Sequence, residues 1–250
     1  MKIQYCSDLH LEFPANQKYL QENPIKPTGD ILMLAGDIVP FAAMEKADNF
    51  FNFVSDSFEH VYWIPGNHEY YRADISQRTG SFHERIRSNV SLLNNTLIVH
   101  GGVRLLFSTL WSRIDFSKEL IIRKAMADFR LIRNKGNKIS VDDYNWLHEE
   151  CLAFLSNELA LSTEQKTIVV THHLPTFVNY PEKYRFSELN SAFATELYEL
   201  IELSKAAYWI FGHNHEVVQD FKIAETTLTS NQLGYVEYGE HLKFSVDKMI

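Results

Sequence analysis

Five short fragments of this chain gather groups that bind metals and move protons. They are Asp8-Leu9-His10, Gly36-Asp37, Gly66-Asn67-His68-Glu69, His172-His173 and Gly212-His213-Asn214-His215. Six of the 11 histidines fall within them, alongside carboxylates and an amide, which is enough for two metal ions. The donors are oxygen and nitrogen with no thiolate. That favours manganese, iron or zinc, admits magnesium, and argues against a zinc finger or an iron–sulfur cluster. Two such ions about 3.5–4 Å apart clamp an in-line displacement at phosphorus, lowering the pKa of a bound water from about 15.7 toward about 7 and neutralising phosphate oxygens. What such a site still needs is an acid for the leaving oxygen. His68 is placed to be that acid, a role worth roughly 10²–10⁴-fold in rate.

Taken singly, the fragments differ in weight. Asp8 and His10 would share a face in extended backbone, so both could reach one ion. Alone they also read as a loop carboxylate and a surface histidine. Asp37 after Gly36 could equally start a turn or cap a helix. Gly66-Asn67-His68 says more: glycine allows a sharp turn and close approach, the Asn oxygen can ligate, and the adjacent His is left free for proton transfer. His213 and His215 repeat the alternate-residue geometry, and His172-His173 adds a pair. His60, His83, His100, His148 and His241 lie outside the fragments and are assigned no role.

Each fragment follows a stretch that reads as a buried strand. Ile3–Cys6, the apolar run 31–35, Val61–Ile64, Thr167–Thr171 and Ala207–Phe211 are the expected strands, covered on both faces where the run is continuous. Leu97–Val99 and Val103–Leu110 around Gly101-Gly102 read as a hairpin. Helical spacing appears over 45–58, over 140–161 and over 192–203. The second opens on a capping-box pattern, Ser140 with Asp143, and should bury Trp146, Leu147, Cys151, Phe154 and Leu155. The tail from Val217 reads as strands and turns. The pattern implies an α/β fold with mixed sheets. Ligands in such folds collect at the carboxyl ends of strands. Asp8, Asp37, Asn67, His172 and His213 should therefore meet in one cleft.

Composition sets the outer limits. The 250 residues fit one domain spanning 1–250, with 45% hydrophobic and 22% charged residues and a net charge of −8. An acidic chain is poorly suited to wrap a polyanion, so no stable nucleic-acid partner is expected. The start of the chain does not read as a signal peptide, and no apolar run is long enough for a bilayer, so no membrane partner is expected. Cys6 and Cys151 form no metal or disulfide pattern and read as reduced thiols of a cytoplasmic protein.

In this order, D-x-H, GD, GNHE, a His pair and GHxH resemble the calcineurin-like metallophosphoesterase superfamily, over most of the chain. The resemblance implies a four-layer αββα sandwich, two sheets flanked by helices, with a dinuclear centre at the strand ends. It assigns Asp8, His10 and His215 to one metal, Asp37 to a bridge, and Asn67, His172 and His213 to the second. A metal-bridging hydroxide would attack, with His68 as general acid and Asn67 beside it. His172 is preferred to His173, which would line the substrate side or pack. Residues 126–133 and 184–193 resemble a bacterial subgroup, where Arg130 or Arg185 would grip a second substrate phosphate or carboxylate, or simply form surface ion pairs. Asn231-Gln232-Leu233-Gly234-Tyr235 resembles an N-P-x-G-Y turn with Gln232 in place of proline, a departure expected to touch only local turn geometry.

The expected activity is hydrolysis of a small phosphodiester or phosphomonoester. Tyr70, Tyr71, Trp111 and Phe116 could stack a nucleobase or could fill the core. The competing reading is a catalytically silent scaffold on the same fold. It is disfavoured because every ligand position is filled. A nuclease, a lipid-nucleotide hydrolase and a protein phosphatase fit less well, for want of basic surface, of a membrane-facing insertion and of a longer core.

Overall fold

The computed structural model describes residues 1–250. The first sheet contains β1 (Ile3–Cys6), β2 (Ile31–Ala35), β3 (His60–Ile64), β4 (Phe82–Arg85) and β5 (Val90–Asn94), in the order β1-β2-β3-β5-β4. All neighbours are parallel except β4 with β5. The second sheet contains β6 (Thr96–His100), β7 (Val103–Ser108), β10 (Thr167–Thr171), β11 (Tyr208–Phe211), β12 (Phe221–Ile223) and β13 (Thr226–Ser230), in the order β12-β13-β11-β10-β7-β6. A separate ribbon pairs β8 (Arg133–Asn134) with β9 (Asn137–Lys138). The helices are α1 (Pro14–Glu22), α2 (Asp48–Ser57), α3 (Glu119–Ala125), α4 (Asp128–Leu131), α5 (Val141–Leu159) and α6 (Tyr198–Ser204).

Alternation along the strands creates the layers. Ile31, Met33 and Ala35 face Ile168, Val170 and Ile210 of the other sheet, forming an apolar layer between the two. Leu32, Leu34, Val61 and Trp63 point the opposite way, onto Phe51 and Val54 of α2. On the far side, Val169 and Trp209 pack against Tyr144, Leu147 and Leu155 of α5 and Ile201 of α6. The central strands, such as β2 and β10, are covered on both faces and so read as near-continuous apolar runs. This is the expected sandwich of two mixed sheets flanked by helices. No helix is long and apolar enough to cross a membrane.

Three local expectations need correction. The helix expected over 192–203 shrinks to α6, because the segment before it spends its backbone on a neighbour. Thr195 N–H donates to the Leu174 carbonyl at 3.1 Å and Leu197 N–H to the Pro175 carbonyl at 2.9 Å. Helix α5 has its capping box, with Ser140 and Asp143 each bonding the other's backbone N–H. Its Trp146, however, is 52% exposed, because the buried stripe runs through Tyr144, Leu147, His148, Cys151 and Leu155. Region 70–92, where the expected strands and helices leave a gap, supplies β4 and the start of β5. Phe82-His83-Glu84-Arg85 alternates half-buried with exposed positions, as a polar edge strand does.

Candidate metal centre

The five fragments meet where the two sheets abut. Asp8, Asp37 and Asn67 follow β1, β2 and β3; His172 and His213 follow β10 and β11. Asp8 and His10 converge by a different route from the extended one expected. Asp8, His10, Asp37, His213 and His215 all adopt positive φ, between 47° and 79°. Left-handed backbone at a non-glycine residue costs on the order of 1–3 kcal/mol and persists where surrounding contacts hold it. Here those contacts extend the β1–β2 ladder past the strand ends. Asp8 N–H donates to the Gly36 carbonyl at 2.9 Å and His10 N–H to the Asp37 carbonyl at 3.0 Å.

Two sets of donor atoms result. Asp8, His10, Asp37 and His215 form one; Asp37, His172 and His213 form the other, and within each the ligand atoms lie within 4.8 Å of one another. Asp37 belongs to both, with Oδ2 3.8 Å from His10 Nε2 and Oδ1 3.4 Å from His172 Nε2. Asn67 Oδ1 joins the second set at 3.3 Å from His172 Nε2. His213 Nδ1 lies 3.2 Å from that same nitrogen.

The tautomers test whether a cation fits. His10 Nδ1 donates to Glu12 and His215 Nδ1 to Glu240, at 3.3 and 2.8 Å. Their Nε2 atoms then face each other at 2.9 Å with lone pairs opposed. His172 Nδ1 donates to the Ala35 carbonyl at 2.9 Å, which points a bare Nε2 at Asp37, Asn67 and His213. Lone pairs converging on common points are what a cation satisfies, and outward-facing carboxylates and carbonyls orient metal-ligating imidazoles. Burial opposes charge on His172, yet Asp37 beside it prevails and raises its pKa to about 9.

His68 stands at the same centre. Its Nδ1 donates to Glu12 Oε1 at 2.9 Å, its Nε2 lies 3.3 Å from the Tyr235 hydroxyl, and its ring packs on Tyr71. Burial alone would lower its pKa, but Asp37 and Glu12 outweigh it and raise the value to about 9.

Several residues that build the site escaped the sequence reading. Glu69 lies inside the GNHE fragment but had no role. Its carboxylate accepts from the N–H groups of Asp37, Ile38 and Gly66 and from the Trp63 indole, at 2.7 to 3.1 Å. Burial and the Asp37 charge push its pKa up, whereas four donors leave no lone pair on which a proton could sit. The donors decide, and Glu69 is ionised. Asp128 accepts from Asn67 Nδ2 at 3.1 Å and from the Tyr71 hydroxyl at 2.8 Å. Glu12 follows His10 by two residues, a spacing that was a usable signal.

Gln232 affects more than its own turn. Its Oε1 accepts from His215 N–H at 2.7 Å and its Nε2 donates to Asn214 Oδ1 at 2.8 Å, pinning the loop that carries two of the imidazoles. His173 packs behind the centre, fully buried, with Nε2 3.1 Å from the Tyr144 hydroxyl. Arg130 donates to the Lys124 carbonyl and Arg185 to Glu182, both exposed, and neither they nor His173 line the cleft beside the centre. Tyr70 and Trp111 are core residues at 1% exposure and Phe116 is exposed; of the four proposed stacking rings only Tyr71 reaches the cleft.

Residues 1–217 match the family model of calcineurin-like phosphoesterases, and the chain belongs to that family. It is similar to the uncharacterized protein L509 of Acanthamoeba polyphaga mimivirus, 32% identical over 259 residues that cover 93% of this chain and 91% of that one. Among solved structures it resembles the phosphopantetheinyl hydrolase of Mycobacterium tuberculosis, with a TM-score of 0.74 at 18% identity over 100% of this chain and 95% of that one. The chain is a metal-dependent hydrolase of phosphoric esters.

Proposed function

We propose that this enzyme hydrolyses a small phosphodiester or phosphomonoester at a dinuclear centre. Asp8, His10 and His215 would hold one ion, Asn67, His172 and His213 the other, with Asp37 shared. The observation that carries this reading is the Asp37 carboxylate, whose two oxygens face opposite clusters of imidazole nitrogen, His10 on one side and His172 on the other. Bound there, a pair of divalent ions would activate water and neutralise phosphate oxygens.

The remaining work falls to the chain's own groups. Glu12 fixes His68 Nδ1, which leaves Nε2, beside the Tyr235 hydroxyl, as the atom that would carry the proton. His68 gives that proton to the departing oxygen. Asp128 keeps the Asn67 amide turned so that oxygen, not nitrogen, faces the centre. Glu69 ties the loops after β2 and β3 together, which holds Asp37 and Asn67 at a fixed separation.

The test is hydrolysis of bis-p-nitrophenyl phosphate beside p-nitrophenyl phosphate by metal-stripped protein reconstituted with Mn²⁺. Turnover that requires metal and vanishes in Asp37→Ala supports the reading, and the ratio of the two rates chooses between diester and monoester. Absence of turnover with Mn²⁺, Fe²⁺, Zn²⁺ and Mg²⁺ alike would overturn it.

A further inference from the structure

The cleft beside the centre holds about 350 Å³ and is lined by 19 residues, none of them lysine or arginine. Its wall away from the ligands comes from two segments that flank the centre: Met126 at the end of α3, and Tyr180, Tyr184, Leu189 and Phe193 from the long connection after β10. The wall starts at the reacting centre itself, since the Phe193 ring lies 4.8 Å from that of His213 at 33° between planes.

Two of the wall's polar side chains, Tyr180 and Asn190, are turned onto the wall's own segment. The Tyr180 hydroxyl donates to Asn190 Oδ1 at 3.2 Å, and Asn190 Nδ2 donates to the Tyr184 carbonyl at 2.8 Å. Several cations near the wall are engaged elsewhere. Lys183 and Lys243 pair with Glu216, Lys118 with Glu188, Arg185 with Glu182, and Arg130 bonds a backbone carbonyl. The formal charges that do line the cleft apart from the proposed ligands and His68 are the carboxylates of Asp128 and Glu240. A second phosphate or a carboxylate on the substrate would meet no positive partner here and would lie near like charge. An uncharged apolar or aromatic group would bury surface against the rings.

Resting on the phosphoesterase reading above, we propose that the substrate is a phosphodiester with one uncharged, largely apolar or aromatic ester arm, which this wall receives, and that esters with a second anionic group on that arm are rejected. The reaction is a plain hydrolysis. Water contributes its oxygen to phosphorus, the bond from phosphorus to the leaving oxygen breaks, and that oxygen gains a proton from His68. Water's surplus protons pass to His68 and solvent, leaving a phosphomonoester and an alcohol.

A series of 2,2,2-trifluoroethyl phosphodiesters, whose leaving group is too small to fill the aromatic wall, tests this on the Mn²⁺-loaded enzyme. The leaving group stays constant while the other arm is methyl, propyl, phenyl or 2-phosphonoethyl. We expect kcat/KM to be on the order of tenfold or more higher for phenyl than for methyl, and lower by a similar factor for 2-phosphonoethyl than for propyl. Tyr184→Ala should compress the phenyl-to-methyl ratio, and Leu189→Arg should shift preference toward the phosphonate. Equal rates for methyl and phenyl, or a phosphonate arm accepted as well as propyl, would overturn the proposal while leaving the phosphoesterase reading intact. No turnover of any ester under metal loading would overturn both, and is distinguishable because the wild-type series itself would be blank.

Discussion

Asp128 decides which end of the Asn67 amide faces the metal centre. An ionised carboxylate can only accept, so Asn67 turns its Nδ2 toward Asp128 at 3.1 Å and its Oδ1 toward His172 Nε2 at 3.3 Å. The Tyr71 hydroxyl adds a second donor to Asp128 at 2.8 Å. Asp128→Asn offers a group that can donate as well as accept, and the Asn67 amide loses its fixed sense. The variant should bind the ion at Asn67, His172 and His213 roughly 10–100-fold more weakly, with the ion at Asp8, His10 and His215 retained. Metal titration followed by Mn²⁺ paramagnetic resonance separates the two; two ions held with wild-type affinity would refute this role.

His68→Ala should damage the chemistry in proportion to how much the leaving oxygen needs a proton. Loss should reach roughly 10²–10⁴-fold on esters of weakly acidic alcohols and be far smaller on p-nitrophenyl esters. The measurement is the slope of log kcat against leaving-group pKa. A slope unchanged by the substitution would remove His68 from the acid's role.

Gly66 sits where no side chain fits. A Cβ there would collide with Asp37 Oδ1 and come within 2.6 Å of His172 Nε2. Gly66→Ala should therefore push apart two donors of the centre and abolish tight metal binding. Inductively coupled plasma analysis of purified protein should find substoichiometric metal. Full occupancy with normal activity would show that the strand-end turn can relax.

How much of this was legible in the sequence depends on where each residue's partner lies. Ile31–Ala35 and Thr167–Thr171 announce themselves because both faces are covered, and apolar runs of that length have few other uses. Asp37 and His172 are visible because they stand directly after those runs. Asp128 and Gln232 are polar residues whose partners, Asn67 and His215, are distant in sequence, so no local pattern marks them. Arg130 and Arg185 drew attention by charge alone, and charge does not say which way a side chain turns. The short α6 was hidden for a related reason: apolar spacing over 192–203 is real, but the Leu174–Pro175 backbone claims the donors and acceptors first.

His148, assigned no role from sequence, is a buried residue whose Nδ1 donates to the Trp111 carbonyl. Burial lowers its pKa below 6.5, the value in an unfolded chain. The folded state thus binds this proton less readily than the unfolded one. Its contribution is complete above about pH 6.5 and drains away as pH falls below it, at no more than about 1.4 kcal/mol per pH unit. His148→Gln cannot titrate, so the stability difference between wild type and variant should move against wild type from about pH 7 to about pH 5.5. Urea unfolding at a series of pH values reads this directly, and parallel curves would contradict it.

Both candidate cation sets draw donors from both sheets: Asp37 after β2 with His172 after β10 and His213 after β11 in one, and Asp8, His10 and Asp37 with His215 in the other. An ion held in either set would therefore add a rivet between two halves of the sandwich, beside the hydrogen bonds that already cross this edge from His172 Nδ1 to the Ala35 carbonyl and from His213 N–H to Asp8. Chelation would then act on the molecule as unfastening and not merely as inactivation. Metal supply would set how long each copy survives, since an ion bound only by the folded chain raises its stability by RT ln(1 + [M]/Kd).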